Sequence, residues 1–154
     1  IGWIVTGRKV AKALWSRRDY TTIAPSALSD RLARVALHPA RRVALLARGR
    51  DIIVANNTIA RAWVDSQTAL TLVPAEAGAV AFIGYEDEVG SATLATRLRD
   101  SASVLVAPGA HFGVDGYLRI GLGSNSELLH TGLARIGRVM TELRSGENTS
   151  LSAM

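Results

Sequence analysis

Arg119 is the residue whose type and setting first suggest chemistry. It stands in the run YLRIGLG, from Tyr117 to Gly123. In a strand successive side chains point to opposite faces, so Leu118, Ile120 and Leu122 share one face while Tyr117, Arg119 and Gly121 share the other. A guanidinium there, with a glycine leaving room beside it, offers a carboxylate two parallel hydrogen bonds, a fork that the point charge of lysine does not copy. The same alternation also describes a solvated arginine on the polar face of an ordinary strand. The run by itself leaves both readings open.

Other sets of chemistry-bearing residues fail where their chemistry would lie. His38, His111 and His130 have no partner at ligand spacing, so no metal site is expected. His111 sits in a glycine-rich loop and reads as structural. No nucleophile elbow supports a Ser-His-Asp triad. Gly2 and Gly7 have the spacing of a phosphate loop, but Arg8, Lys9 and Val10 follow where that loop needs Lys and then Ser or Thr. Asn56-Asn57-Thr58 and Asn148-Thr149-Ser150 match the glycosylation acceptor pattern, which carries no meaning in a chain expected to be cytoplasmic.

The elements that must position Arg119 can be read outward from it. Val104 to Gly123 reads as strand, turn-rich loop and strand, the loop holding Pro108, Gly109, Gly113 and Gly116. Before it, Ala69 to Val73 and Gly78 to Tyr85 read as strands, and Ser91 to Arg99 as a helix marked by Leu94 and Leu98. After it, a capping box from Ser124 to Glu127 opens a helix with the stripe Leu129, Leu133, Ile136, Met140 and Leu143. Further upstream, Ala40 to Asp65 carries one long helical pattern with Leu46, Gly49, Ile53, Asn56, Ala60 and Trp63 on one face. Its ~26 residues would span about 39 Å, more than a small domain needs. Ser26 can cap a helix with the inner stripe Leu28, Leu32 and Val35, which ends near His38-Pro39. Arg8 to Arg17 predicts another helix, and IGWIVTG an interior strand before it.

Composition narrows the class. An apolar share of 48% over 154 residues excludes a disordered chain and allows one sizeable core. No apolar run approaches a membrane span, no signal segment is visible, and cysteine is absent, so a cytoplasmic protein without a membrane partner is expected. Charge is divided: residues 1–50 carry +9 and residues 51–154 carry −4. The arginines of the basic half are scattered along helical pattern with few aromatics between them, which does not suit a nucleic-acid surface. A plainer expectation is that this half faces something missing from the chain. The opening in mid-strand without an initiator methionine suggests truncation, and the end, SGENTSLSAM, reads as a polar tail.

In order and wording these motifs resemble the C-terminal part of a class I/II aminotransferase, a fold-type I enzyme dependent on pyridoxal 5′-phosphate, from Ile1 to about Leu143. IGWIV is similar to the segment after the cofactor lysine. A Tyr-Thr connection, a DRLARVAL helix, a long helix, a small α/β domain and an Arg-Ile-Gly strand follow in the family's order. The resemblance implies an α/β fold divided into a large-domain remnant with its last strand and helices (1–39), a long interdomain helix (40–66), a small C-terminal domain (67–144) and a polar tail (145–154). It implies that Arg119 receives the substrate's α-carboxylate, and that Tyr20, Thr21 and Thr22 lie where family members reach towards a neighbouring subunit's site. The complete enzyme would be a homodimer using pyridoxal 5′-phosphate on an amino acid and 2-oxo acid pair, in biosynthesis. The Schiff-base lysine has no match in this chain, since Lys9 and Lys12 follow the GWIV strand. The chain alone is therefore expected to be inactive, with no catalytic or cofactor-binding residue of its own. Other fold-type I outcomes stay open: a lyase, a decarboxylase or a cyclase of the capreomycidine-synthase kind. So does a non-catalytic interaction module.

Overall fold

Four strands form one antiparallel sheet: β1 (Leu70–Leu72), β2 (Val80–Tyr85), β3 (Ala107–Pro108) and β4 (Tyr117–Gly121), in the order β1-β2-β4-β3. β4 is thus an inner strand. Its alternation is the one read from the sequence: Leu118 and Ile120 are buried on one face, and Arg119 is exposed on the other. Slipping β4 by one residue would bury the guanidinium and lose about 1.5–3 kcal/mol for each apolar side chain turned to water, so its register is strongly specified.

The computed structural model describes residues 1–146. Five helices accompany the sheet among these residues: α1 (Arg8–Arg18), α2 (Ala27–Leu37), α3 (Pro39–Asp65), α4 (Ser91–Ala102) and α5 (Ser126–Arg144). The chain divides into two compact units, Ile1–Arg48 and the part from Gly49 onward. The division falls inside α3.

The second unit holds the core. Ala60 and Val64 of α3, Leu94, Leu98 and Ala102 of α4, and Leu129, Leu133, Ile136, Val139 and Met140 of α5 pack with Ala81, Ile83, Leu118 and Ile120 of the sheet. Each helix contributes residues three or four apart, the spacing of one helical face. α5 starts where its cap dictates: Asn125 accepts the Glu127 N–H through its side chain at 2.7 Å. The capping box expected from Ser124 is thereby corrected, the cap having moved one residue on. Asn56, fully buried on α3, donates from Nδ2 to the carbonyls of Leu122 and Ser124, both at 2.8 Å, and its Oδ1 accepts the Ser126 hydroxyl at 2.8 Å. One amide thus closes the connection from β4 to α5. At the far end of α5, Arg144 grips both oxygens of Asp87, at 2.8 and 2.9 Å.

The first unit has no buried residue in α1 or α2. Trp3, Ile4, Val5, Trp15, Leu28 and Leu32 are all exposed, and so is Leu46 of the stripe expected along α3. The strand expected for IGWIVTG does not form. A strand exists through ladder bonds to a neighbour, and residues 1–7 pair with none of the described strands. The first strand expected in the Arg119 stretch is also corrected: of the VLVA run only Ala107 enters a strand, since the ladder to β4 covers Ala107 and Pro108 alone. The Asn148-Thr149-Ser150 pattern and most of the expected tail lie outside the described residues.

Replacing Asn56 by Ala leaves two carbonyls and a hydroxyl buried without their partner. Urea unfolding should show a loss of about 2–4 kcal/mol for Asn56→Ala, against about 0.5 kcal/mol or less for Ala at its neighbour Asn57. Equal losses at the two positions would contradict the role given to the buried amide.

Candidate functional site

The outer face of the sheet carries the candidate site. On it Arg119 stands opposite Phe82 of β2 on one side and Ala107 of β3 on the other. The rings of Phe82 and Tyr117 stack with centroids 4.8 Å apart and planes 9° from parallel. Tyr117 also lies close over Gly84, where an added Cβ would come within 2.9 Å of the ring and 2.6 Å of Thr71 Oγ1. The Arg119 guanidinium carbon is 5.6 Å from the ring centroid of Phe112. The ion pairs among the described residues are Arg99 with Asp100, Arg138 with Glu142 and Arg144 with Asp87. None involves Arg119, so its exposed fork has no carboxylate of the described residues upon it.

Phe112 belongs to a 3₁₀ turn, Gly109–Phe112, which leads from β3 towards β4. Three polar contacts fix this connection. The Ala110 N–H donates to Ser91 Oγ at 3.0 Å, and Asp115 Oδ1 accepts the N–H groups of Ser91 at 2.7 Å and Gly116 at 2.9 Å. Ser91 is the first residue of α4, whose own N-cap, Gly90, has no side chain to offer. Asp115 therefore supplies the anionic acceptor that a helix N-terminus favours, from 24 residues away. Hydrogen bonds from Ser91, and then from Gly116, hold its carboxyl below the usual carboxylate range. Close by, the Tyr85 hydroxyl donates to the Val89 carbonyl at 2.8 Å. Burial first, then the charges of Asp115 and Asp87, push this phenol up to about 12. Gly109 is dictated by space: a Cβ there would collide with the Val114 carbonyl and with Tyr117.

Of the residues expected from the sequence, Arg119 lies on the face predicted for it. Tyr20 and Thr21 are in the first unit, in the turn after α1; Tyr20 is almost fully exposed, and the Thr21 hydroxyl donates to the Arg18 carbonyl at 3.1 Å. His111 is exposed on the 3₁₀ turn. Among the described residues no three His, Asp or Glu converge as metal ligands, and no helix is long and apolar enough to cross a membrane. Phe82, Phe112 and Asp115 were not visible as site residues. The first needs the β2–β4 register, and the other two sit in a loop without periodicity.

A family model described as aminotransferase class I and II matches residues 1–136. Among curated proteins, capreomycidine synthase of Streptomyces vinaceus is 31% identical over 137 residues, covering 88% of this chain and 35% of that protein. Among solved structures, a PLP-dependent aminotransferase from Streptococcus suis superposes with a TM-score of 0.82 at 26% identity, covering 92% of this chain and 37% of the other. Cystalysin from Treponema denticola, whose structure contains pyridoxal 5′-phosphate, gives 0.77 at 16% identity, covering 91% and 36%. The chain thus spans little more than a third of the length of these three proteins.

Pyridoxal 5′-phosphate is held through a lysine amine and an acidic or basic partner for its ring nitrogen. The unit that carries Arg119 contains no lysine, and the two of the chain, Lys9 and Lys12, are exposed on α1. The residues around Arg119 therefore offer that cofactor no lysine amine. What they offer is an exposed guanidinium on an inner strand, with aromatic residues beside it.

The loop that carries Phe112 should respond to acid through Asp115. Its folded pKa is depressed, so its contribution to stability is fully present above the unfolded value of about 3.9 and disappears as pH falls through the lower folded value. In urea titrations, wild type should exceed Asp115→Asn by a constant margin at neutral pH. That margin should close below about pH 4; one that is the same at pH 7 and pH 3 would contradict the assignment.

Proposed function

We propose, for a chain that belongs to the class I and II aminotransferase family, that it supplies the arm that binds the substrate α-carboxylate in a pyridoxal-phosphate-dependent aminotransferase. One observation carries this reading: the Arg119 fork is exposed on an inner strand, and no acid among the described residues is paired with it. A surface arginine near acids would settle into an ion pair; this one presents its donors to whatever arrives. A carboxylate accepting two of them is held in one plane. That fixes rotation about the bond to its α-carbon and sets the direction of the Cα–H bond before any proton moves. The cofactor, when bound, supplies the electron sink for exchange of the amine. The contribution of Arg119 is orientation.

In this reading residues 1–39 belong to the large domain, 40–66 link the domains, and 67–144 form the small domain. The exposed apolar side chains of the first unit, with its charge of +8, are covered by a further part of the enzyme and by a second subunit. Tyr20 and Thr21 contribute to that neighbour's site. The enzyme is a cytoplasmic, biosynthetic homodimer acting on an amino acid and a 2-oxo acid, and the present chain alone does not transaminate. A second reading, an amino-acid cyclase, is favoured by the similarity to capreomycidine synthase. Arg119 would bind the α-carboxylate in either case, so the two differ in whether turnover requires a 2-oxo acid.

In the holoenzyme, Arg119→Ala should lower kcat/KM for the amino acid by about a hundredfold or more, mainly through KM, with Arg119→Lys recovering part of it. Stopped-flow half-transamination that is unchanged in Arg119→Ala would sink the proposal. Turnover that continues without any 2-oxo acid would transfer it to the cyclase reading.

A further inference from the structure

Arg119 has no acid partner among the described residues, and Phe112 is what it has instead. A flexible arginine on an exposed strand would ordinarily sample many rotamers, and binding a ligand would have to select one. An acid neighbour would order it, but would occupy the donors the ligand needs. An aromatic face escapes that conflict. It attracts the guanidinium through the negative face of its quadrupole while accepting none of the in-plane N–H bonds. The 5.6 Å separation of the Arg119 guanidinium carbon from the Phe112 centroid falls inside the range where this attraction operates.

The ring must itself be held for this to work, and Phe112 is more than half exposed, so burial alone does not hold it. Its backbone does. The 3₁₀ turn is fastened by the Ala110 bond to Ser91 and closed by two further bonds, Gly113 N–H to the Ala110 carbonyl and Val114 N–H to the Gly109 carbonyl, both at 3.1 Å. Gly109 packs so tightly against Val114 and Tyr117 that the start of the turn has little freedom. On the opposite flank Phe82, stacked on Tyr117, faces Arg119 across the ladder. The arginine therefore has Phe112 beside its guanidinium and Phe82 opposite it on β2.

We propose that Phe112 is a positioning residue for Arg119: its ring orders the guanidinium and leaves the donor edge free, so that a carboxylate meets a preformed fork. This rests on the reading of Arg119 as the carboxylate site, and the tests are arranged so that the two can fail separately.

The contact is tested on the full chain by NMR, without reference to activity. The Arg119 Nε–H proton should be displaced upfield by the ring, remain so in Phe112→Tyr, and return to the ordinary arginine position in Phe112→Leu. An ordinary shift in the wild-type chain overturns the proposal outright. The consequence is tested in the holoenzyme. Phe112→Leu should raise KM for the amino acid by about two- to fivefold with little change in kcat, and Phe112→Tyr should recover most of it. Phe112→Glu should raise KM further, by about tenfold or more, because an acid then occupies the fork. A fall in kcat with KM unchanged, or a KM in Phe112→Glu no worse than in Phe112→Leu, overturns the positioning role. If the NMR contact is present but Arg119→Ala leaves KM unaltered, it is the carboxylate reading that has failed, and the role of Phe112 in binding falls with it.

Discussion

The buried amide of Asn56 is the interaction on which the second unit most depends. It lies on α3, yet every bond it makes reaches the connection between β4 and α5. In a low-dielectric interior such bonds are strong when complete and costly when one member is lost. A second polar anchor lies at the other end of the same strand, where Asp115 holds the N–H groups of Gly116 and Ser91. β4 is thus fastened just before its first residue to α4 and just after its last to α3. Apolar packing sets which of its faces looks inward. The two polar anchors set where along the sheet the arginine stands.

The electrostatics of the unit follow from how its acids are engaged. Residues 51–154 carry more acid than base, and in such surroundings an arginine would be expected to find a partner. Asp87 is held by Arg144 and Asp115 by the start of α4. Arg119 is left facing aromatic rings. An exposed arginine keeps its donors free to the extent that the rest of the molecule does not neutralise it, and Asp87 and Asp115 already have structural tasks.

What could be read from the sequence follows the physics of periodicity. Helical stripes on α3, α4 and α5 and the alternation in β4 repeat over enough residues to be legible, and the arginine fell on the face predicted for it. Failures came where structure depends on a partner distant in sequence. IGWIVTG has the composition of a strand but no ladder among the described residues, and VLVA has the same composition with only its last residue paired. The Asn125 cap displaced the one expected from Ser124 because Asn56 and its bonds govern how the chain turns there. Phe112 and Asp115 escaped notice since nothing in a seven-residue separation, or in a loop aspartate, encodes that a ring and a helix end will meet them. The resemblance to a family adds what composition does not, a proposed role for one arginine, while the ring beside that arginine is seen only in the structure.

The crowding around Tyr117 has a consequence for how this surface can change over evolutionary time. Gly84 and Gly109 both abut Tyr117, but for different reasons. At Gly84 the obstacles are side chains, the tyrosine ring and the Thr71 hydroxyl; at Gly109 they include the main-chain oxygen of Val114 and that of Tyr117 itself. The first constraint is conditional: a lineage that had already shrunk positions 71 and 117 could accept a larger residue at 84. The second is unconditional, because no exchange of neighbouring side chains moves a carbonyl. Epistasis is therefore built unevenly into the two flanks of the arginine, leaving the β2 side free to drift in correlated steps and the loop side with glycine as its single solution.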